Sequence, residues 1–311
     1  MNHLASVLIL LSFAAQAGEE VAVGKLAVDG PLHKLEVNGA ELHYVAKGNG
    51  PAIIFVHGGL ADYREWLPVM DQLKGRYATI VYSRRHGYPN RNNPVNPDHS
   101  PISEADDLAA VIDELGLRPA HVVGVSYGAS TSLFLALRHP GLARSLVIVE
   151  PPLVSWLPGI AGGQPVYDDF YGRLVTPVRA AFQAGDRDGA FRLTLEYFVG
   201  PGALEQVPPE VIANLRLNLR DWEVMFRSRD LLPDIPAADL RKLDLPVLML
   251  SGASSYELGK LVDAELERTL PKVRRVLIPE GTHDACVEKP DICAREIAAF
   301  LDDLPASAKG P

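Results

Sequence analysis

The chain has 311 residues, enough for one large α/β domain or two modest ones with a substantial core. Hydrophobic residues make up 47% and charged ones 22%, the balance of an ordinary globular protein. The formal net charge of −9 comes with no basic stripe to neutralise a phosphate backbone, which argues against nucleic acid as a principal partner.

Met1-Asn2-His3 precede an apolar run over residues 4–15, which ends in Ala15-Gln16-Ala17 and resembles a secretory signal peptide cleaved after Ala17. The run is too short for a comfortable membrane span, so the expectation is export to the periplasm or beyond, with no stable membrane insertion after cleavage. Its first residues carry neither Lys nor Arg, which departs from the usual basic start. Residues 21–44 alternate in polarity, and Asn38-Gly39 is a hairpin signal, so an antiparallel edge is expected there. Apolar runs of the buried parallel-strand type follow at 52–56, 79–82, 121–125, 146–149, 247–250 and 274–278. Helical patterns intervene at 103–115, with Ser103 as cap, at 130–138, and at 291–301 after Pro290.

This alternation predicts an α/β fold, a doubly wound and mostly parallel sheet with helices on both faces. It breaks once, between Pro151 and Leu245, where helical patterning at 177–183, 190–198 and 209–220 is punctuated by Pro and Gly. So long a structureless loop is improbable, and the stretch reads as a helical cap inserted after strand 6, over the carboxyl edge of the sheet. The expected organisation is a signal peptide (1–17), a first core part (18–151), a cap (152–244) and a second core part (245–311), with 302–311 frayed. Cys286 and Cys293 are the only cysteines, and on one straight helix they would lie about 10 Å apart, beyond bridging range. Pro290 lies between them and could start a new helix that would permit a bridge; two free buried thiols are the expectation.

Gly124-Val125-Ser126-Tyr127-Gly128 places a serine between two glycines where an apolar run gives way to a helical pattern, the signature of a nucleophile elbow. A serine on so tight a strand-to-helix turn needs small neighbours to let adjacent chain pass. Its chemistry requires a base, a group to orient that base, and donors for an oxyanion. His283 follows the last strand in a glycine-containing loop and is the candidate base among nine histidines. His57-Gly58-Gly59-Leu60 ends a buried strand in a turn, so the amides of Gly59 and Tyr127 are the expected oxyanion pair, the plain alternative being an ordinary turn before a helix.

Together with Ser83-Arg84-Arg85-His86-Gly87-Tyr88, Asp106-Asp107-Leu108, Gly281-Thr282-His283 and Glu288-Lys289-Pro290, these motifs make the chain resemble an α/β-hydrolase of the lidded type. The resemblance covers almost everything after residue 30. It is specific for fold and poorly specific for substrate. In most of that family the acid follows the next-to-last strand in a Gly-x-x-Asp pattern, whereas this chain reads Gly252-Ala253-Ser254-Ser255. Some members, including certain haloalkane dehalogenases and zearalenone-type lactone hydrolases, take the acid from the preceding strand, which here ends in Glu150-Pro151-Pro152. Glu150 is therefore the expected acid, with Glu257, Asp263 and Asp284 as alternatives, and with a solvated strand-end residue as the bland reading of Glu150.

A serine nucleophile argues against epoxide or haloalkane chemistry, which needs a carboxylate to form an alkyl ester. The turn after His57 lacks the Gly-Pro-Gly continuation of proline iminopeptidases. No cofactor is implied, and no close Cys/His spacing or H-E-x-x-H suggests a metal. The expected function is hydrolysis of a small to medium apolar ester or lactone through an acyl-enzyme, with Trp66, Trp156, Trp222 and Phe226 as candidate substrate contacts. Tyr63, Tyr167, Phe170, Tyr171 and Met225 are further candidate linings, although such residues on amphipathic helices are more often core. Carbon–carbon bond hydrolysis, perhydrolysis, or a small-molecule receptor without turnover are the alternatives; oligomeric state is open.

Overall fold

Asn38 and Gly39 adopt φ of 47° and 71°, the left-handed pair demanded by a two-residue hairpin turn, and join β1 (His33–Val37) to β2 (Ala40–Lys47). The structure is a computed structural model describing residues 31–93 and 98–304, so the signal-peptide segment lies outside the described residues. β3 (Ala52–Val56), β4 (Ala78–Tyr82), β5 (Ala120–Val125), β6 (Ala143–Val149), β7 (Val247–Gly252) and β8 (Val273–Ile278) complete an eight-stranded sheet. Its order is β1-β2-β4-β3-β5-β6-β7-β8. From β4 to β8 the neighbours are parallel, and β2 joins β4 antiparallel.

The central strands are apolar throughout because both faces are covered. Ile54, Val56, Val122 and Ile148 point into one layer with α2 (Pro101–Glu114), α3 (Tyr127–Arg138) and α11 (Glu257–Thr269). Ile53, Phe55, Val123 and Val149 point to the other, with α1 (Leu67–Leu73) and α13 (Pro290–Asp302). Between β6 and β7 come α4 (Gly163–Asp169), α5 (Thr176–Gln183), α6 (Arg187–Phe198), α7 (Ala203–Gln206), α8 (Pro209–Leu217), α9 (Leu219–Arg227) and α10 (Ala237–Leu240). Their apolar faces merge with the first core layer.

Four local expectations are corrected. α2 is capped by Ser100, not Ser103: Pro101 presets the first helical residue, and Ser103 Oγ accepts the Ser100 N–H at 3.0 Å as the far half of a capping box. The helix predicted over 209–220 breaks at Asn218, whose Oδ1 accepts the Tyr88 N–H at 2.8 Å and whose amide donates to Asp62 at 2.7 Å, tying the cap to the core. β8 is not a buried strand but the sheet edge, with Leu277 56% exposed and Arg274 and Arg275 keeping the edge polar. Finally, Cys286 and Cys293 form a disulfide. Extended backbone at Lys289 (φ −134°, ψ 60°) divides α12 (Ala285–Glu288) from α13, so the two cysteines do not share a helix and their Cα atoms lie 5.4 Å apart.

Candidate active site

Ser126 stands between the end of β5 and the start of α3 with φ 52° and ψ −120°, a conformation non-glycine residues rarely adopt. The strain is held by close packing. A Cβ on Gly124 would lie 2.4 Å from the Gly128 carbonyl oxygen, and one on Gly128 would lie 2.4 Å from that of Val56. The Ser126 amide donates to the Val149 carbonyl at 2.8 Å, fixing the elbow to β6. Because β5 to β8 are parallel, the residues that follow each strand gather at one carboxyl edge.

At that edge Glu150, directly after β6 with φ 47°, is buried and carries three hydrogen bonds. Its Oε1 accepts the Gly252 N–H at 2.8 Å, and its Oε2 accepts the Ser255 hydroxyl at 2.5 Å and contacts His283 Nδ1 at 2.7 Å. Ser255, at the position where the family pattern has aspartate, thus holds the carboxylate instead of supplying it. Gly259 leaves the room: a Cβ there would come within 2.9 Å of Glu150 Oε2. Of the other carboxylates weighed, Glu257 is exposed, Asp263 binds Ser251 Oγ, and the Asp284 amide turns back on Thr282 Oγ1. Burial disfavours a charge on His283, but the Glu150 hydrogen bond and charge outweigh it and raise the imidazole to about 9. Asp263 is pushed up to about 7 by burial and by the Glu150 charge.

Ser126 Oγ and His283 share no hydrogen bond among the described residues. Their chain neighbours Val125 and Asp284 line one small crevice with Glu65, Trp66, Cys286 and Val287. Glu65 reaches the Gly58-Gly59 turn from behind, its Oε2 accepting the Gly58 N–H at 2.9 Å; burial pushes this carboxyl up to about 8, partly offset by that bond. On the front of the turn, a Cβ at Gly58 would lie 3.5 Å from Ser126 Cβ, and one at Gly59 would lie 2.5 Å from Trp222 Cζ3 and 3.6 Å from Met225 Cε. Helix α9 of the cap therefore roofs the turn.

The aromatic expectations divide. Trp222 sits over Gly59, its indole N–H donating to Thr194 Oγ1 at 2.9 Å. Trp66 is corrected to core: it packs on Phe55 beneath the sheet, and its N–H goes to the Val56 carbonyl at 3.2 Å. Phe226 is likewise corrected to cap core, 1% exposed between Trp222 and Phe182. Trp156 is half-buried and donates to the Ile235 carbonyl at 2.9 Å, a tie within the cap.

Arg84, Glu65, Asp221 and Ser255 carry site geometry that sequence reasoning left without a role. The guanidinium of Arg84 is fully buried, 2.6 Å from Asp221 Oδ2 and 3.4 Å from Glu104 Oε1. His99, Glu104 and Asp221 bring three potential metal-ligand atoms within 4.8 Å of one another, but the Arg84 guanidinium pairs with two of the three and supplies the positive charge there. Arg84 belonged to a motif already singled out, whereas Glu65 and Asp221 look in sequence like the solvated charges of amphipathic helices.

A family profile described as "Alpha/beta hydrolase family" matches residues 53–296. The fold and this edge constellation define a hydrolase of that class, and the chain belongs to the alpha/beta hydrolase family. It is similar to the sn-1-specific diacylglycerol lipase ABHD11 of Mus musculus, 35% identical over 81% of each chain. It is also similar to the uncharacterized hydrolase YraK of Bacillus subtilis, 34% identical over 126 residues, which are 40% of this chain and 46% of that one. In three dimensions it resembles the enol-lactonase of Burkholderia xenovorans LB400, with a TM-score of 0.67 at 18% identity, covering 87% of this chain and 100% of that one.

Proposed function

We propose that this chain is a serine hydrolase that cleaves a carboxylic ester or lactone of a small to medium apolar substrate through an acyl-enzyme. One observation carries the reading: a serine on a strained elbow shares a sheet edge with a histidine whose Nδ1 is bound, at 2.7 Å, to a buried carboxylate. Ser126 Oγ attacks the substrate carbonyl while His283 Nε2 takes its proton. Collapse of the tetrahedral intermediate breaks the ester C–O bond, and His283 returns the proton to the leaving alkoxide. Water then attacks the acyl-serine with His283 again as base, releasing the acid and restoring the hydroxyl. Glu150 orients the imidazole and stabilises its charge.

Glu65 already engages the Gly58 amide, and the first N–H of α3 has no partner inside its helix, so Gly59 and Tyr127 are the amides for the oxyanion. Trp222 and Met225 against Gly59 support an apolar substrate. A serine at the elbow supports attack on a carbonyl, and the mouse diacylglycerol lipase and the enol-lactonase are named for reactions of that kind. We further propose that the protein is exported, a reading supported by the apolar start of the chain and by the Cys286–Cys293 disulfide, a bond suited to an oxidising compartment.

The test is hydrolysis of p-nitrophenyl acetate, p-nitrophenyl butyrate and a panel of lactones by wild type, Ser126→Ala and His283→Ala. Fluorophosphonate labelling, located by peptide mass, is run in parallel. Wild type is expected to turn over at least one ester or lactone and to label at Ser126, with both variants inactive. Equal activity in all three proteins, or a label elsewhere, refutes the assignment.

A further inference from the structure

The peptide that joins Gly58 to Gly59 is gripped through its carbonyl. Arg84 Nη2 donates to the Gly58 oxygen at 3.0 Å, and His57 Nδ1 lies 2.9 Å from the same atom. The direction of the second bond is settled by the other ring nitrogen: His57 Nε2 accepts the Arg84 backbone N–H at 2.8 Å, so Nδ1 carries the proton and donates. In a planar trans peptide the carbonyl of one residue and the N–H of the next point in opposite directions. Whatever holds the Gly58 oxygen therefore aims the Gly59 N–H.

The same guanidinium nitrogen that grips this carbonyl is 2.6 Å from Asp221 Oδ2, and Asp221 belongs to cap helix α9. The next residue of that helix, Trp222, covers Gly59. Arg84, Asp221 and Glu104 are fully buried, and the guanidinium lies 4.6 Å above the ring of Tyr127, the residue bearing the other oxyanion amide. Burial opposes the charge on Arg84, but the two carboxylates more than compensate and keep it cationic. A cation on the carbonyl oxygen also polarises the peptide and strengthens its N–H as a donor.

We propose that Arg84 is a positioning residue that aims the Gly59 N–H at the substrate's carbonyl oxygen, and that its pairing with Asp221 makes seating of the cap a condition for an assembled oxyanion hole. The inference rests on the serine-hydrolase reading above and adds the coupling between cap and oxyanion turn. Lysine at 84 would retain the charge opposite Asp221 and Glu104 but lose the planar fork whose Nη1 faces Glu104 while its Nη2 reaches Asp221 and the Gly58 carbonyl.

The experiment compares full-length wild type, Arg84→Lys, Arg84→Met and Asp221→Asn on p-nitrophenyl butyrate, with turnover expressed per active site titrated to completion by a fluorophosphonate. Inhibition by an alkyl trifluoromethyl ketone, whose serine adduct carries an oxyanion, is measured alongside. Arg84→Met is expected to lower kcat about 100-fold, and Arg84→Lys and Asp221→Asn about 10-fold each, with KM within about threefold of wild type. The ketone should weaken in proportion to the loss in kcat/KM. Arg84→Met removes the guanidinium that faces the buried Asp221 and Glu104 carboxylates, so if it does not fold, the other two variants carry the test. Wild-type kcat per titrated site in Arg84→Lys and Asp221→Asn overturns the proposal, as does a fall in kcat with ketone affinity unchanged. If wild type itself neither labels at Ser126 nor hydrolyses esters or lactones, the hydrolase reading fails and takes this one with it. If wild type is active and the variants match it, only the role of Arg84 is lost.

Discussion

Replacing Glu150 by Gln removes the charge that faces His283 Nδ1 across 2.7 Å while keeping the shape of the side chain. The imidazole stands at about 9 against an ordinary 6.5, which corresponds to about 3 kcal/mol in favour of its protonated form. Burial opposes that form, so without the carboxylate the imidazole is expected at or below its ordinary value. The base works neutral, so wild-type kcat/KM should rise roughly tenfold per pH unit from 7 and level off above about 9. In Glu150→Gln the limb should move to about pH 6.5 or lower, with a plateau about 100- to 1000-fold below that of wild type, because the imidazolium formed in the transition state has lost its counter-charge. At pH 7 only about 1% of wild-type imidazole is neutral, so the two proteins should differ far less there than at pH 9.5. The linked stability has the opposite sense: the raised imidazole stabilises the fold fully below about pH 6.5, and this contribution fades as pH rises through about 9, so the Tm deficit of the variant should be largest in acid. The assay is p-nitrophenyl butyrate hydrolysis from pH 6 to 10 with blanks subtracted, and an unchanged limb in the variant would refute the reasoning.

Gly59→Ala places a Cβ 2.5 Å from a Trp222 ring that is packed on Phe226 and bonded to Thr194, so it should lose about 1–3 kcal/mol of stability and at least tenfold in kcat; adding Trp222→Leu should restore the Tm if the clash is the cause. Cys286→Ser with Cys293→Ser opens the short loop those residues close and should lower stability by about 2–3 kcal/mol, read as a chemical-denaturation midpoint; no change relative to wild type under oxidising conditions would contradict the bridge. Ser255→Ala takes one of three partners from Glu150 and should reduce kcat about tenfold, whereas Ser255→Asp placed on a Glu150→Ala background should recover a large part of the activity lost in Glu150→Ala alone. Absence of any recovery would show that the two positions are not interchangeable for the acid.

What the sequence determined by itself is what short-range physics dictates. Asn38-Gly39 gave the hairpin because only residues tolerant of positive φ make that turn. The doubly wound sheet followed from apolar runs alternating with helical periods, and the elbow at Ser126 from two glycines where neighbouring chain passes too close for a Cβ. Edge and interior strands were harder to separate: Arg274 and Arg275 mark β8 as different, but Val276, Leu277 and Ile278 read like a buried run until the position of the strand in the sheet is known. The tertiary structure alone decided the long-range polar contacts: Ser255 with Glu150, 105 residues apart, and Asp221 with Arg84, 137 apart. A buried charge leaves no periodic signature, because its cost is met by one partner whose identity depends on how strands and helices are ordered in space. The disulfide was hidden for a related reason. Its geometry turns on the backbone at Lys289, where the chain breaks direction between two helices that a linear spacing treats as one.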